Sequence, residues 1–339
     1  MRVKIAAAAV ISVAAVIMGI AIGSTYIPPF DILRIIGHNI FEMRLAEHIT
    51  IGQSATVWSL RLPRVLLAYI AGAALSVSGA VMQSILRNPL ASSYTLGVSS
   101  GASLGAAAVI FLGVSLPFAP MATLPILGFA AGLGTILLVI ALARQLDMHM
   151  ENHTIILTGM VFALFINAIT TMLFAFFREG VQRMVFWQMG SFSIQERSVA
   201  VLILAPVTLA GILFIMRYRP ELDIMTFGEE QAQAIGVKTK SVKLALIACA
   251  AALTGSTIAF VGIIGFVDLV APHVVRKIFG PAHKYVIPMS ALIGGTFMVV
   301  ADIIARTVTS PVELPVGAVT ALIGAPFFAY VYFYKKKER

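Results

Sequence analysis

The chain has 339 residues, of which 59% are hydrophobic and 12% charged, with a formal net charge of +9. That apolar content supplies about ten helical spans at roughly 20 residues each, and lipid-like windows recur along the whole chain, which excludes a soluble globular domain. The positive charge reads as lysine and arginine held in loops on one side of a membrane rather than as a nucleic-acid footprint. The one cysteine, Cys249, excludes an intrachain disulfide and a cysteine-based metal site.

Basic Met1–Lys4 precedes the apolar run Ile5–Ile22. The run is long for a secretory signal and no A-x-A site follows, so it is expected to be an uncleaved first span with its N-terminus inside. Tyr26–Ser59 is too polar to span and is expected to be extracytoplasmic, with a short amphipathic helix near Ile32–Ile40. The second span, Leu60–Leu86, opens on Arg61-Leu62-Pro63-Arg64. Pro63 suits a first helical turn, whereas two arginines at an outer end run against the inside bias of basic residues and need a reason. The third span, Ala91–Val114, is rich in glycine and serine, which lets helix backbones approach closely. The fourth is Pro120–Ala143.

Arg144–His153 is expected as an inner loop. Its His149 and His153 have the i,i+4 spacing of a metal pair, but no third ligand is spaced beside them, so a solvated pair is the simpler reading. The fifth span is Thr154–Phe177. Arg178–Arg197 lies outside, and within it Val185–Gly190 (VFWQMG) is expected as a re-entrant or interfacial helix, since tryptophan favours the membrane boundary. The sixth span is Ser198–Met216, the seventh Leu244–Val261. The eighth, Gly262–Ile278, is short, is interrupted by Gly265 and Pro272, and carries Asp268. The ninth, Tyr285–Val308, places Asp302 and Arg306 one turn apart, where they either pair with each other or serve a function. The tenth is Leu314–Tyr334, followed by the basic tail Lys335–Arg339. With both termini inside, 16 of the 24 lysines and arginines fall in inner segments, in keeping with the positive-inside rule. Ala73–Ala80 (AALSVSGA) and Ala251–Ala259 (AALTGSTIA) echo each other, as an internal repeat or as two similar small-residue helices.

Arg217–Lys243 is the longest strongly charged stretch and carries nine of the 39 charged residues. Within it, Phe227–Val237 reads as a short helix, with Gly228 in front, Glu229 and Glu230 in its first turn and Gly236 as its stop. It is either a solvated connection or a docking element for something in the water. The flanking Arg217, Arg219, Lys238, Lys240 and Lys243 read as membrane-boundary anchors. No energy source is visible: the dipeptide Gly-Lys never occurs, so no phosphate-binding loop is present. No hydrolytic triad or zinc motif exists either, and nothing calls for a cofactor or for enzymatic activity. Ionisable residues inside spans are few, which argues against an ion-coupled carrier and for a transporter powered from outside itself.

Five blocks together resemble a known family: Arg61–Arg64; Ala71–Ala106 (AGAALSVSGAVMQSILRNPLASSYTLGVSSGASLGA); Gly228–Val237 (GEEQAQAIGV); Gly265–Gly280 (GFVDLVAPHVVRKIFG); and Ala301–Phe328. Their sequence and order are similar to those of the FecCD-type permease subunits of binding-protein-dependent ABC importers for iron–siderophores, haem and cobalamin. The resemblance implies an all-α, polytopic membrane protein, a single ten-span domain of the ABC importer type II permease fold. It implies residence in a bacterial or archaeal cytoplasmic membrane and assembly with a second permease copy, two ATPase subunits and an extracytoplasmic binding protein. It gives Gly228, Glu229, Glu230, Ala232 and Gly236 to the cytoplasmic segment that docks on the ATPase. It gives Arg61, Arg64 and Arg306 to the docking of the binding protein, which supplies the reason for arginines on the outer side. The family's cytoplasmic gate falls on Met148, His149 and Asn152, where this chain departs from the small serine and threonine of the cobalamin members. The cargo is expected to be an iron chelate, most readily an iron–siderophore, with haem and cobalamin as alternatives and an ion-coupled carrier as the competing class.

Overall fold

The computed structural model describes residues 1–23, 25–148, 150–194 and 196–337, with side chains to residue 330. Among them the secondary structure is helical throughout. The helices are α1 (Arg2–Ala21), α2 (Pro29–Phe41), α3 (Ile51–Ala55), α4 (Leu62–Ile85), α5 (Val98–Leu112), α6 (Thr123–Leu146), α7 (Asn152–Phe176), α8 (Val181–Gln188), α9 (Arg197–Arg217), α10 (Arg219–Met225), α11 (Glu229–Ala234), α12 (Thr239–Val261), α13 (Val267–Phe279), α14 (His283–Thr307) and α15 (Val316–Lys337). Ten of them, α1, α4 to α7, α9 and α12 to α15, take the places of the ten expected spans. Seven of the helical stretches are long and apolar enough to cross a membrane by themselves.

Several boundaries differ from expectation, among them the seventh span, which starts at Thr239 rather than Leu244; three others have clear local reasons. The second span extends back through a π-helical turn, Thr56–Arg61, to a capping box at Thr50, whose hydroxyl accepts from Gln53 N while the Gln53 side chain returns to Thr50 N. The third starts at Val98 rather than Ala91. Asn88-Pro89 stops α4, and reciprocal bonds between Ser92 and Thr95 hold the following residues as turns. The eighth starts at Val267. Gly262–Phe266 is not helical; Gly262 and Phe266 have φ of 75° and 69°. Irregular backbone at membrane depth must be buried and hydrogen-bonded, and here Ser191 N donates to Val261 O at 2.8 Å and Tyr94 Oη to Ile264 O at 2.7 Å. The expected helix around VFWQMG forms as α8, and the amphipathic helix near Ile32–Ile40 forms as α2.

α4 is the central element, buried along nearly its whole length against α14, α12, α13 and α9. Such packing in lipid is driven by close van der Waals contact, and the glycines show how close. A Cβ on Gly72 would lie 2.2 Å from Gly294 O, and one on Gly79 would lie 1.9 Å from Asp268 O. The two echoing segments sit on α4 and α12 and touch, with Ser78 Oγ 2.7 Å from Thr254 Oγ1. By contrast, α7 and α9 leave broad apolar faces uncovered by this chain.

Candidate functional site

The charged stretch folds as two short helices at one end of the bundle. α10 starts on Arg219-Pro220, with proline at a position that loses no helical hydrogen bond; it escaped the sequence reading. α11 is shorter than the expected Phe227–Val237. Its framing glycines have φ of 133° (Gly228) and 91° (Gly236), conformations that glycine reaches at little cost. Ala232 is fully buried against the core, and Gln233 Nε2 donates to Thr239 Oγ1 at 2.8 Å, fixing α11 on the start of α12. Glu229 and Glu230 occupy the first turn and border a cleft of about 1150 Å³, whose other walls are Arg87, Asn88, Glu151, Asn152 and Lys240. Acids at a helix start are favoured by the helix dipole, so the carboxylates stand at the cleft without a local penalty.

Lys243 is the main correction. Expected as a boundary anchor, it is 1% exposed. Its ammonium donates to Met150 O (3.0 Å), Asn152 Oδ1 (2.9 Å) and Glu229 Oε1 (2.5 Å), which uses all three of its donors. Of the three expected gate residues, Asn152 is therefore tied into this junction, Met148 is exposed and His149 lies outside the described residues. A second junction anchors α10. Asp223 Oδ1 accepts from His283 N at 2.9 Å and lies 2.6 Å from its Nδ1, while His283 Nε2 is 2.7 Å from Ser84 Oγ. Arg276 bonds Gln83 Oε1, and its Nη2 donates to Ala80 O and Ser84 Oγ.

The three arginines converge at the opposite end and take their acceptors from within the chain; Arg61 and Arg64 are buried, while Arg306 is partly buried and its Nε has no hydrogen-bond partner among the described residues. Arg64 donates from Nε to Asp302 Oδ1 at 3.0 Å and forks onto Glu313, Nη1 to Oε1 at 2.7 Å and Nη2 to Oε2 at 3.1 Å. Arg306 Nε lies 3.4 Å from Asp302 Oδ2, an ionic contact, and its Nη2 donates to Gly19 O. Arg61 gathers the carbonyls that end α1, Ile20 O and Ala21 O at 2.9 Å each, together with Thr25 O at 2.5 Å. The Arg64 fork holds the Glu313 carboxyl below the usual carboxylate range. Thus the expected Asp302–Arg306 contact exists, but Arg64 is the stronger partner of Asp302.

Sequence reading missed Lys243, Glu313, Asp223 and His283 as members of these networks. Lys243 carried one signal: it shares a helix face with Leu246, Ile247 and Ala250, all buried, so its register pointed inward. The others join segments remote in sequence, such as His283 to Ser84, and have no local signature.

The model of the FecCD transport family matches residues 11–333. The uncharacterized ABC transporter permease protein YvrB of Bacillus subtilis is 41% identical over 316 residues, covering 93% of this chain and 89% of that one. The Fe(3+)-citrate import system permease protein YfmE of the same organism is 34% identical, covering 98% and 95%. A solved structure assigned to the metal-chelate type of ABC transporter, in an inward-facing conformation, superposes with a TM-score of 0.85 at 28% identity, covering 99% of this chain and all of that one. The all-helical bundle, the apolar helices and a family match over nearly the whole length agree: this chain is a multi-pass membrane protein that belongs to the FecCD transport family.

Proposed function

We infer that the chain is the permease subunit of a binding-protein-dependent ABC importer, that separate ATPase subunits drive it, and that α11 is the element on which the ATPase docks. The observation that carries this reading is α11 itself: a short acidic helix framed by two glycines with positive φ, standing over a large cleft at one end of a bundle that has no phosphate-binding loop of its own. That end is cytoplasmic, in line with the distribution of lysine and arginine, and both termini lie on the same side. The Fe(3+)-citrate permease relative and the metal-chelate type structural neighbour favour an iron chelate as cargo; the family resemblance leaves haem and cobalamin as the alternatives. The uncovered faces of α7 and α9 suit lipid or a second permease copy.

The deciding experiment is reconstitution in liposomes with the ATPase and the binding protein, using Fe(3+)-citrate as the probe. ATP-dependent uptake is expected, with none from the chain alone. Uptake by the chain alone on an ion gradient, unaffected by removal of ATP, would overturn the reading. Glu230→Lys is expected to abolish stimulation of ATP hydrolysis by the binding protein while the binding protein still docks; normal stimulation would remove α11 from the docking role.

At the opposite end, Arg61, Arg64 and Arg306 are proposed to serve the binding protein. Their convergence from distant parts of the chain supports this, and their burial sets its condition: they must exchange internal acceptors for acids of the partner. Changing Arg61 and Arg306 to glutamate is expected to weaken association, most at low salt. Unchanged association would leave them a purely internal role.

A further inference from the structure

We infer that Lys243 is the residue that carries the movement of α11 into the mouth of the bundle; the inference rests on the docking role proposed for α11. Three segments meet at its ammonium: α12, which bears it; α11, through Glu229; and the turn that starts α7, through Met150 O and Asn152 Oδ1. The turn is held in an unusual state. Met150 is a non-glycine residue at φ 55° and is 2% exposed, a conformation that persists only where neighbours impose it. Lys243 is the neighbour that bonds its carbonyl. Glu229 is the one partner that belongs to the element proposed to move, and its carboxylate faces the cleft shared by α11 and residues 151–153.

The chemistry makes this a stiff connection. A lysine deprived of water must keep all its donors engaged, because leaving a buried charge unpaired costs far more than the pair is worth. If α11 moves, Glu229 cannot leave alone without stranding the ammonium, so the ammonium and the Met150–Asn152 turn move with it. The cleft wall at the start of α7 is thereby bound to the docking helix through Lys243, by its charge pair with Glu229 and its bonds to Met150 O and Asn152 Oδ1. Such a pair transmits displacement in both directions, from α11 to the turn that starts α7 and from that turn to α11.

The test uses the full complex in liposomes and reads the stimulation of ATP hydrolysis by the binding protein. Lys243→Gln and Glu229→Gln are each expected to reduce stimulation by about fivefold or more, the scale of a coupling free energy. The double variant is expected to be no worse than either single one, since both remove the same bond. Lys243→Arg, which keeps the charge and donors, is expected to restore most of it. Glu229→Gln keeps the size of a partly exposed side chain, so it carries the test if Lys243→Gln does not assemble. Unchanged stimulation in Glu229→Gln, or additive losses in the double variant, would overturn the inference. Glu230→Lys in parallel separates the two readings. If it abolishes stimulation while Glu229→Gln does not, only the Lys243 connection fails. If it too leaves stimulation intact, α11 is not the docking element and both fail.

Discussion

Arg64 shows at the scale of one residue why a membrane protein keeps a buried cation. Its fork faces two carboxylates, Asp302 at 1% side-chain exposure and Glu313 at 39%. Arg64→Ala would strand Asp302 without its main partner. Breaking a buried pair from one side costs about 3–5 kcal/mol, and a drop of that order is expected in the detergent-solubilised protein, measured by thermal or denaturant unfolding. Arg64→Lys supplies a point charge without the planar fork and is expected to fall between the two. The same fork sets a pH dependence at Glu313. Its folded pKa lies below the ordinary carboxylate value, so its stabilising share is fully present above that ordinary value and is lost as pH falls through the lowered one. The difference in melting temperature between the wild type and Glu313→Gln is expected to be constant near neutrality and to shrink in acid. A difference that grows in acid would contradict the assignment.

Element packing is decided by glycine placement, and two substitutions separate fit from propensity. Gly79 on α4 meets the backbone of α13, with no flexible side-chain end able to yield. Gly79→Ala is therefore expected to push α4 and α13 apart and destabilise by about 1–3 kcal/mol. Gly134, inside α6, has nothing within 4 Å of an added Cβ, so Gly134→Ala is expected to be neutral or to stabilise by up to about 1 kcal/mol. Melting temperatures of the two variants check the pair. Much of this scale was legible in sequence. Apolar runs and their basic ends located the helices at the ten expected span positions, and proline and glycine marked most of the stops. What stayed hidden was of two kinds. The non-helical Gly262–Phe266 is apolar and reads as span, because hydropathy cannot see that Tyr94 takes the Ile264 carbonyl and Ser191 the Val261 carbonyl just before it. The inward turn of Arg61, Arg64 and Lys243 was hidden because a charge near a span end signals a boundary, while its acceptors sit up to 249 residues away.

At the scale of the whole molecule, the two ends differ in what binds their charges. At the α11 end, carboxylates face a cleft and one lysine ties three segments. At the other end, guanidinium groups are spent on Asp302, Glu313 and the carbonyls that finish α1. α1 is otherwise little embedded in the bundle: 17% of its apolar window is buried, and Lys4 Nζ donates to Ile278 O at its other end. Deleting α1 would thus do more than remove a peripheral span. It would strip Arg61 and Arg306 of acceptors, and the shortened chain is expected to lose stability well beyond what the small contact area suggests, visible as aggregation on size exclusion. The same bonds impose an order on biosynthesis. α1 is synthesised before the groups that close its last turn, which arrive with the turn leading into α4 and, for Gly19 O, with α14. α1 is therefore expected to keep its end open until α14 has been made, which would place it among the last parts of the bundle to lock.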